Sequence, residues 1–91
     1  MIDLRKFDVE QILKKILTNQ MSREEASEWA FNLRQEGDNK NLAYKPSEYE
    51  SMLWESIIFI EGIDLQIEPN VYLHNSEDIV KFLQDIENIG R

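Results

Sequence analysis

Residues 52–60 read MLWESIIFI, and every residue of this stretch except Glu55 and Ser56 is apolar. No other stretch of that length in the chain is so densely apolar. A helix that is apolar on nearly all sides packs against neighbours on more than one side. The sequence therefore predicts that the helix containing residues 52–60 lies at the centre of the fold.

Capping signals bound this central helix and the one before it. Ser47 and Glu50 have the spacing of a capping box, and Gly62 follows the apolar stretch as an expected end. A second capping box, formed by Ser22 and Glu25, opens a preceding helix that is expected to stop near Gln35, before Gly37.

Two further helices are predicted from apolar residues at helical spacing. The first begins at Asp8 and has the stripe Val9, Ile12, Leu13, Ile16 and Leu17. The last begins at Ser76, ends at Gly90, and has the stripe Ile79, Phe82, Leu83 and Ile86. Residues 1–7 are expected to form a lead-in turn or a short helical turn, and residues 42–44 to dock onto the core.

Residues 63–75 have a different periodicity. Ile63, Leu65 and Ile67 alternate with polar residues. A turn is then indicated by Glu68, Pro69 and Asn70, after which Val71 and Leu73 resume the alternation. An extended loop pinned by these apolar residues is preferred, and a small hairpin is the alternative, because two strands alone are marginally stable. The predicted fold is all-α: one compact domain over residues 1–91, with about four helices and this loop or hairpin near 63–75.

The charge is distributed unevenly. Residues 1–46 contain eight basic and eight acidic side chains, whereas residues 47–91 contain two basic and ten acidic ones, which accounts for the whole net charge of −8. Nucleic acids and anionic membranes require a basic surface. The composition therefore predicts a basic protein partner, and neither nucleic acid nor membrane.

The chain contains no cysteine, and its first residues lack the apolar core of a signal peptide. These features predict a cytoplasmic protein. His74 is the single histidine, and no nucleophile, metal-ligand spacing or phosphate-binding glycine loop accompanies it. We therefore expect neither an enzyme, nor a cofactor, nor a metal site.

An aromatic side chain among carboxylates is a plausible contact surface for a basic partner. Trp54 lies among acidic residues in sequence, and Tyr72 lies in the ambiguous segment. The predicted contact residues are Glu50, Trp54, Glu55, Glu61, Asp64, Glu68, Tyr72, Glu77 and Asp78.

Three segments carry a resemblance to known sequences: MSREEASEWA (21–30), MLWESIIFIEGIDL (52–65) and YLHNSEDIVKFL (72–83). They resemble a group of small, acidic, uncharacterised bacterial proteins that are similar in size and charge to the immunity proteins of toxin systems. Phe82 stands where that group often has tryptophan, and Asn70 where it often has glycine. The resemblance implies an interaction role and carries over no catalytic residue.

The resulting prediction is a protein-binding module, an immunity protein that neutralises a basic toxin. One alternative is a structural or regulatory subunit that dimerises or docks through an apolar patch of Trp54, Ile58 and Phe59. Another is a globular protein without catalytic activity. A third, an enzyme using His74 with a carboxylate, would require a concave pocket that contains both.

Overall fold

The computed structural model describes residues 2–69, 71–72 and 74–89. It contains four helices: α1 (Lys6–Leu17), α2 (Arg23–Asp38), α3 (Glu50–Glu61) and α4 (Ser76–Asn88). It also contains four short strands: β1 (Ile2–Arg5), β2 (Leu42–Lys45), β3 (Gln66–Glu68) and β4 (Val71–Tyr72). The all-α prediction is therefore wrong, because two small sheets accompany the helices.

The first sheet, which we call the ribbon, pairs β1 with β2 in parallel. Its register places Ile2 opposite Leu42 and Arg5 opposite Lys45. Helices α1 and α2 form the connection that two parallel strands require. A strand of four residues is too short for its alternation to be recognised in the sequence. The prediction of a lead-in turn or short helical turn over residues 1–7 therefore missed β1.

The second sheet is a hairpin of β3 and β4, with Gln66 opposite Tyr72, Glu68 opposite Val71, and an irregular register between Gln66 and Glu68. The preferred prediction of an extended loop is wrong, and the hairpin alternative is the one observed. Of the apolar residues predicted to pin the segment, Ile63 is buried in the core, whereas Leu65, Ile67 and Val71 are exposed. Three residues with a predicted role lie outside the described residues: Asn70 in the turn, Leu73 in the alternating pattern and Gly90 at the end of the last helix.

The core lies between two pairs of helices, α2 against α3 and α1 against α4. Helix α3 supplies side chains without solvent exposure at Leu53, Ile57 and Ile60. The predicted stripes of α1 and α4 are buried in the same cluster, apart from the partly buried Leu17 and Phe82. All apolar residues of the stretch at 52–60 except the exposed Ile58 thus lie in the core or pack against it.

The capping predictions have mixed outcomes. The Ser22–Glu25 box is confirmed, with the Glu25 N–H donating to Ser22 Oγ at 3.0 Å. Helix α1 begins at Lys6, earlier than predicted, and the Asp8 carboxylate accepts the Arg5 N–H at 3.0 Å. Helix α3 begins at Glu50, after a 3₁₀ turn. Asn75, and not the predicted Ser76, caps α4, so Ser76 is the first residue of that helix.

Gly37 has a role that differs from the predicted helix end. It lies inside α2, which continues to Asp38, and Lys40 takes the left-handed conformation instead, with φ of 59°. A Cβ built on Gly37 would stand 2.6 Å from the Trp54 ring and 3.6 Å from Leu42. Glycine is therefore needed here for close packing between α2, α3 and the ribbon.

Candidate functional site

The predicted contact residues are distributed over several elements. Glu50, Trp54 and Glu55 lie on α3, Glu61 and Asp64 at its end, Glu68 and Tyr72 in the hairpin, and Glu77 and Asp78 in the first turn of α4. Three separate depressions contain members of this set, one with Glu50 and Trp54, one with Tyr72, and one with Asp78. That these side chains contact a partner stays a prediction.

Several of them already have partners within the chain. The Arg34 Nε–H donates to the Glu61 carboxylate at 2.6 Å, which links α2 to α3. The Arg23 guanidinium lies 4.1 Å from the centre of the Tyr72 ring. Asp78 accepts the Asn75 N–H at 3.2 Å. These contacts stabilise the fold and occupy the groups that were predicted to be available.

The apolar patch predicted for a dimerising subunit is not formed. The Trp54 ring packs against Gly37, and the Phe59 ring stacks on Phe82 with ring centres 4.2 Å apart. Ile58 is the member of the predicted patch that is exposed. Trp54, Ile58 and Phe59 therefore do not present one contiguous surface.

Trp54 also lines a depression of about 300 Å³ together with Tyr44 and Glu50. Burial raises the pKa of the Tyr44 hydroxyl, and the negative charges of Glu50 and Asp38 raise it further. Glu50, which belongs to the acidic half of the chain, thus lies near Tyr44, on the face of the ribbon that packs against the core.

His74 is part of an aromatic cluster. Its ring centre lies 4.6 Å from that of Phe59, and its Nδ1 atom lies 4.0 Å from the Asp78 carboxylate. The His74 carbonyl accepts a hydrogen bond from Arg23 at 2.6 Å. Among the described residues, no group of histidine, aspartate and glutamate side chains is arranged to hold a metal ion.

The ribbon brings together two cations that sequence reasoning missed. Leu4 of β1 and Tyr44 of β2 are partners in the register, and both face the core. Because successive side chains of a strand point to opposite faces, Arg5 and Lys45, which follow them, lie on the outer face of the ribbon. Both of these cations are exposed, and they are direct partners in the register. Arg5 and Lys45 are 40 positions apart in the sequence, and only the strand pairing shows that they are neighbours.

Other cations of the chain are occupied. Lys6 donates to the Ile89 carbonyl at 3.0 Å, Arg23 to the Ile63 carbonyl at 3.0 Å, and Arg34 to Glu61. Within the described part of the chain, the cations with neither a salt bridge nor a side-chain hydrogen bond are Arg5, Lys15, Lys40, Lys45 and Lys81. All except Lys81 belong to the first half, so the available positive charge is concentrated there.

A groove of about 450 Å³ lies beside β1. Apolar walls come from β1, α1 and α2, and include Ile2, Phe7, Trp29 and Leu33. Its polar groups are Asp3, Asp8, Gln11 and Lys15, and neither Arg5 nor Lys45 lines it. The ribbon and this groove together form the candidate site.

The fold and the site define a small mixed α/β protein with available cations on an N-terminal ribbon. A family model described as YxzC DNA-binding protein matches residues 4–86, and the chain belongs to that family. The uncharacterized protein YxzC of Bacillus subtilis (strain 168) is 31% identical over 67 residues, which are 74% of this chain and 49% of that protein. The chain thus spans about half the length of this relative. No solved structure matches the chain.

Family membership corrects two of the predictions from sequence. The resemblance to immunity proteins, and with it the toxin-neutralising role, is wrong. The prediction of a basic protein partner and no nucleic acid is also wrong. The resemblance rested on three segments and on similarity of size and charge, and the partner prediction rested on the acidic excess of residues 47–91. An interface is governed instead by the charges within about one Debye length, ~8 Å at physiological salt.

None of the described helices is both long enough and apolar enough to span a bilayer.

Proposed function

We propose that this protein binds DNA through the outer face of the ribbon, with Arg5 and Lys45 contacting the phosphate backbone. The observation that carries the proposal is the register of the ribbon, which places these two exposed cations side by side without an acidic partner. Lysine and arginine contacts to phosphates supply most of the affinity of non-specific DNA binding, because they release condensed counterions. Membership of a family described as DNA-binding supports the same function.

The acidic remainder of the chain limits how DNA approaches. The net charge is −8, and the acidic excess lies in residues 47–91, which contain α3, the hairpin and α4. These charges repel phosphates, so the ribbon is the surface that faces the DNA. Because so few cations are available, log affinity is expected to fall with log salt with a slope of only about 1 for each phosphate contact.

The proposed role is binding without catalysis, and it requires neither a cofactor nor a metal. It is also consistent with one domain over residues 1–91 and with the cytoplasmic location expected from the lack of cysteine, and both of these remain part of the proposal.

Fluorescence anisotropy tests the proposal with a labelled oligonucleotide of mixed sequence, offered as a single strand and as a duplex at several salt concentrations. Replacing Arg5 and Lys45 together by glutamine is expected to weaken binding. It is also expected to reduce the slope of log affinity against log salt by about 1 for each cation removed. Circular dichroism spectra check that the variant keeps its helices.

Lys81→Gln is the matched control, because Lys81 is an exposed, unpaired cation on α4 in the acidic half. Its affinity for DNA is expected to equal that of the parent protein. The proposal fails if neither form of DNA binds at low salt, or if Lys81→Gln weakens binding as much as the ribbon substitutions do.

A further inference from the structure

A depression of about 300 Å³ lies on the inner side of the ribbon, opposite to the face that carries Arg5 and Lys45. Its lining combines two aromatic rings, two carboxylates and a hydroxyl group. These residues come from the end of α2, from β2 and from the start of α3, and they are Gly37, Asp38, Tyr44, Glu50, Ser51 and Trp54. No lysine or arginine of the described residues is among them, so we call this depression the acidic aromatic pocket.

The two rings of the acidic aromatic pocket have no cation of their own. Tyr44 and Trp54 are both partly buried against the core, so each keeps an accessible surface. Trp54 is held by close packing, since a Cβ built on Gly37 would lie 2.6 Å from its ring. In the described part of the chain, one arginine lies over the ring of Tyr72 and another over that of Phe31, whereas none lies over Tyr44 or Trp54. The pocket therefore presents two positioned rings that a cation can contact.

The two carboxylates make the pocket favourable for a positive charge. Glu50 is exposed and forms no salt bridge within the described residues. Asp38 lies 3.3 Å from Arg34, which also pairs with Glu61 at 2.6 Å, so a single cation is shared by two carboxylates there. Burial raises the pKa of the Tyr44 hydroxyl, and the charges of Glu50 and Asp38 raise it further, which indicates that both charges act within the pocket.

The lining also indicates which kind of cation fits. A calcium ion takes about six to eight oxygen ligands, and two carboxylates with one hydroxyl do not supply them. Aromatic faces instead attract organic ammonium ions, and quaternary ammonium groups are the ligands that aromatic cages recognise. The volume of about 300 Å³ lies at the lower end of the range for small-molecule sites, roughly 300–1,000 Å³, so the occupant is small.

We propose that the acidic aromatic pocket binds a small quaternary ammonium ion. The methyl groups of the ion lie against the rings of Tyr44 and Trp54, and Glu50 and Asp38 balance its charge. This site goes beyond the proposed DNA contact and does not depend on it, because the two surfaces lie on opposite faces of the ribbon.

The test titrates the protein with choline chloride and follows the indole N–H signals of its two tryptophans by NMR, with potassium chloride keeping the ionic strength constant. A saturable shift is expected at Trp54 and none at Trp29, which lies on α2 outside the pocket. The neutral isostere of choline, in which a carbon atom replaces the nitrogen, is expected to give no saturable shift, since it lacks the charge.

Two variants remove one contact each and keep the Trp54 signal. Glu50→Gln is expected to weaken choline binding about two- to fivefold, the effect of losing one exposed charge partner. Tyr44→Leu is expected to weaken it about two- to fivefold through the loss of one cation–π contact, with circular dichroism checking that the variant is folded.

Glu55→Gln is the matched control, because it removes the same charge from an exposed position of α3 that does not line the pocket. It is expected to bind choline like the parent protein. The inference is overturned if the neutral isostere shifts Trp54 as choline does, or if Glu55→Gln weakens binding as much as Glu50→Gln. Either result would leave the proposed function intact, since that function is measured with DNA and the ribbon cations.

Discussion

The two small sheets of this protein differ in how they are attached to its core. The ribbon is anchored by Leu4, which is buried, and by Leu42 and Tyr44, which pack against the buried cluster. In the hairpin, by contrast, all three residues of β3 are exposed, including Ile67. A two-stranded sheet alone is marginally stable, so packing decides which of the two is rigid.

The two sheets also differ in charge. The outer face of the ribbon carries Arg5 and Lys45, whereas the hairpin belongs to the half of the chain with the acidic excess, and its strand β3 ends at Glu68. A binding surface depends on side chains held in place before the ligand arrives, because ordering them on binding costs free energy. The ribbon combines buried anchoring residues with available positive charge. The hairpin is held by Arg23, which lies over the Tyr72 ring, and it carries no cation in its described strands.

The largest expected effect tests the difference in anchoring. Leu4→Ala is expected to lower the free energy of unfolding by about 2–5 kcal/mol, because it leaves a cavity beneath the ribbon. Ile67→Ala, in the hairpin, is expected to change it by less than about 0.5 kcal/mol, since 64% of Ile67 is already exposed. Urea denaturation of both variants measures the difference, and equal losses would show that the hairpin is anchored as firmly as the ribbon.

A second prediction concerns the packing beneath the ribbon. Gly37→Ala is expected to destabilise the protein by about 1–2 kcal/mol, because the new methyl group displaces the Trp54 ring. The same substitution in a Trp54→Ala background is expected to stabilise it by about 0.5–1 kcal/mol, the ordinary gain of alanine over glycine in a helix. Thermal or urea unfolding of the four proteins in this cycle checks both signs, and additive effects would contradict the proposed clash.

The third prediction compares charge on the two sheets. Asp3 lies on the outer face of the ribbon with Arg5, so Asp3→Asn is expected to strengthen DNA binding about two- to fivefold. Glu68→Gln removes the same charge from the hairpin and is expected to leave the affinity unchanged. Anisotropy titrations at one salt concentration measure both, and a larger gain from Glu68→Gln would place the DNA near the hairpin instead.

The smallest expected effect is a pH dependence at Tyr44, where the ribbon meets carboxylates of α2 and α3. Burial, then Glu50 and Asp38, raise the pKa of Tyr44 in the folded protein. Above the ordinary pKa of about 10, the unfolded chain loses this proton first, so the contribution to stability is complete below that pH and declines above it. Urea denaturation between neutral and strongly alkaline pH is expected to show a shallower decline for Tyr44→Phe, and identical profiles would contradict the raised pKa.

The sequence by itself determined the helices and most of the core. The Ser22–Glu25 capping box and the stripes of α1 and α4 are all read from residues three or four positions apart. Such signals are local, because a helix makes its hydrogen bonds and side-chain contacts within one or two turns. The alternation at residues 63–72 likewise allowed the hairpin, whose strands are adjacent in the chain.

Only the tertiary structure decided the ribbon and everything that depends on it. Pairing β1 with β2 joins segments separated by two helices, and no local pattern encodes the partner of a four-residue strand. The juxtaposition of Arg5 with Lys45 and the groove beside Phe7 therefore could not be deduced from composition. The sum of charges pointed away from nucleic acid, because a net charge carries no information about which cations remain free and adjacent once the chain has folded.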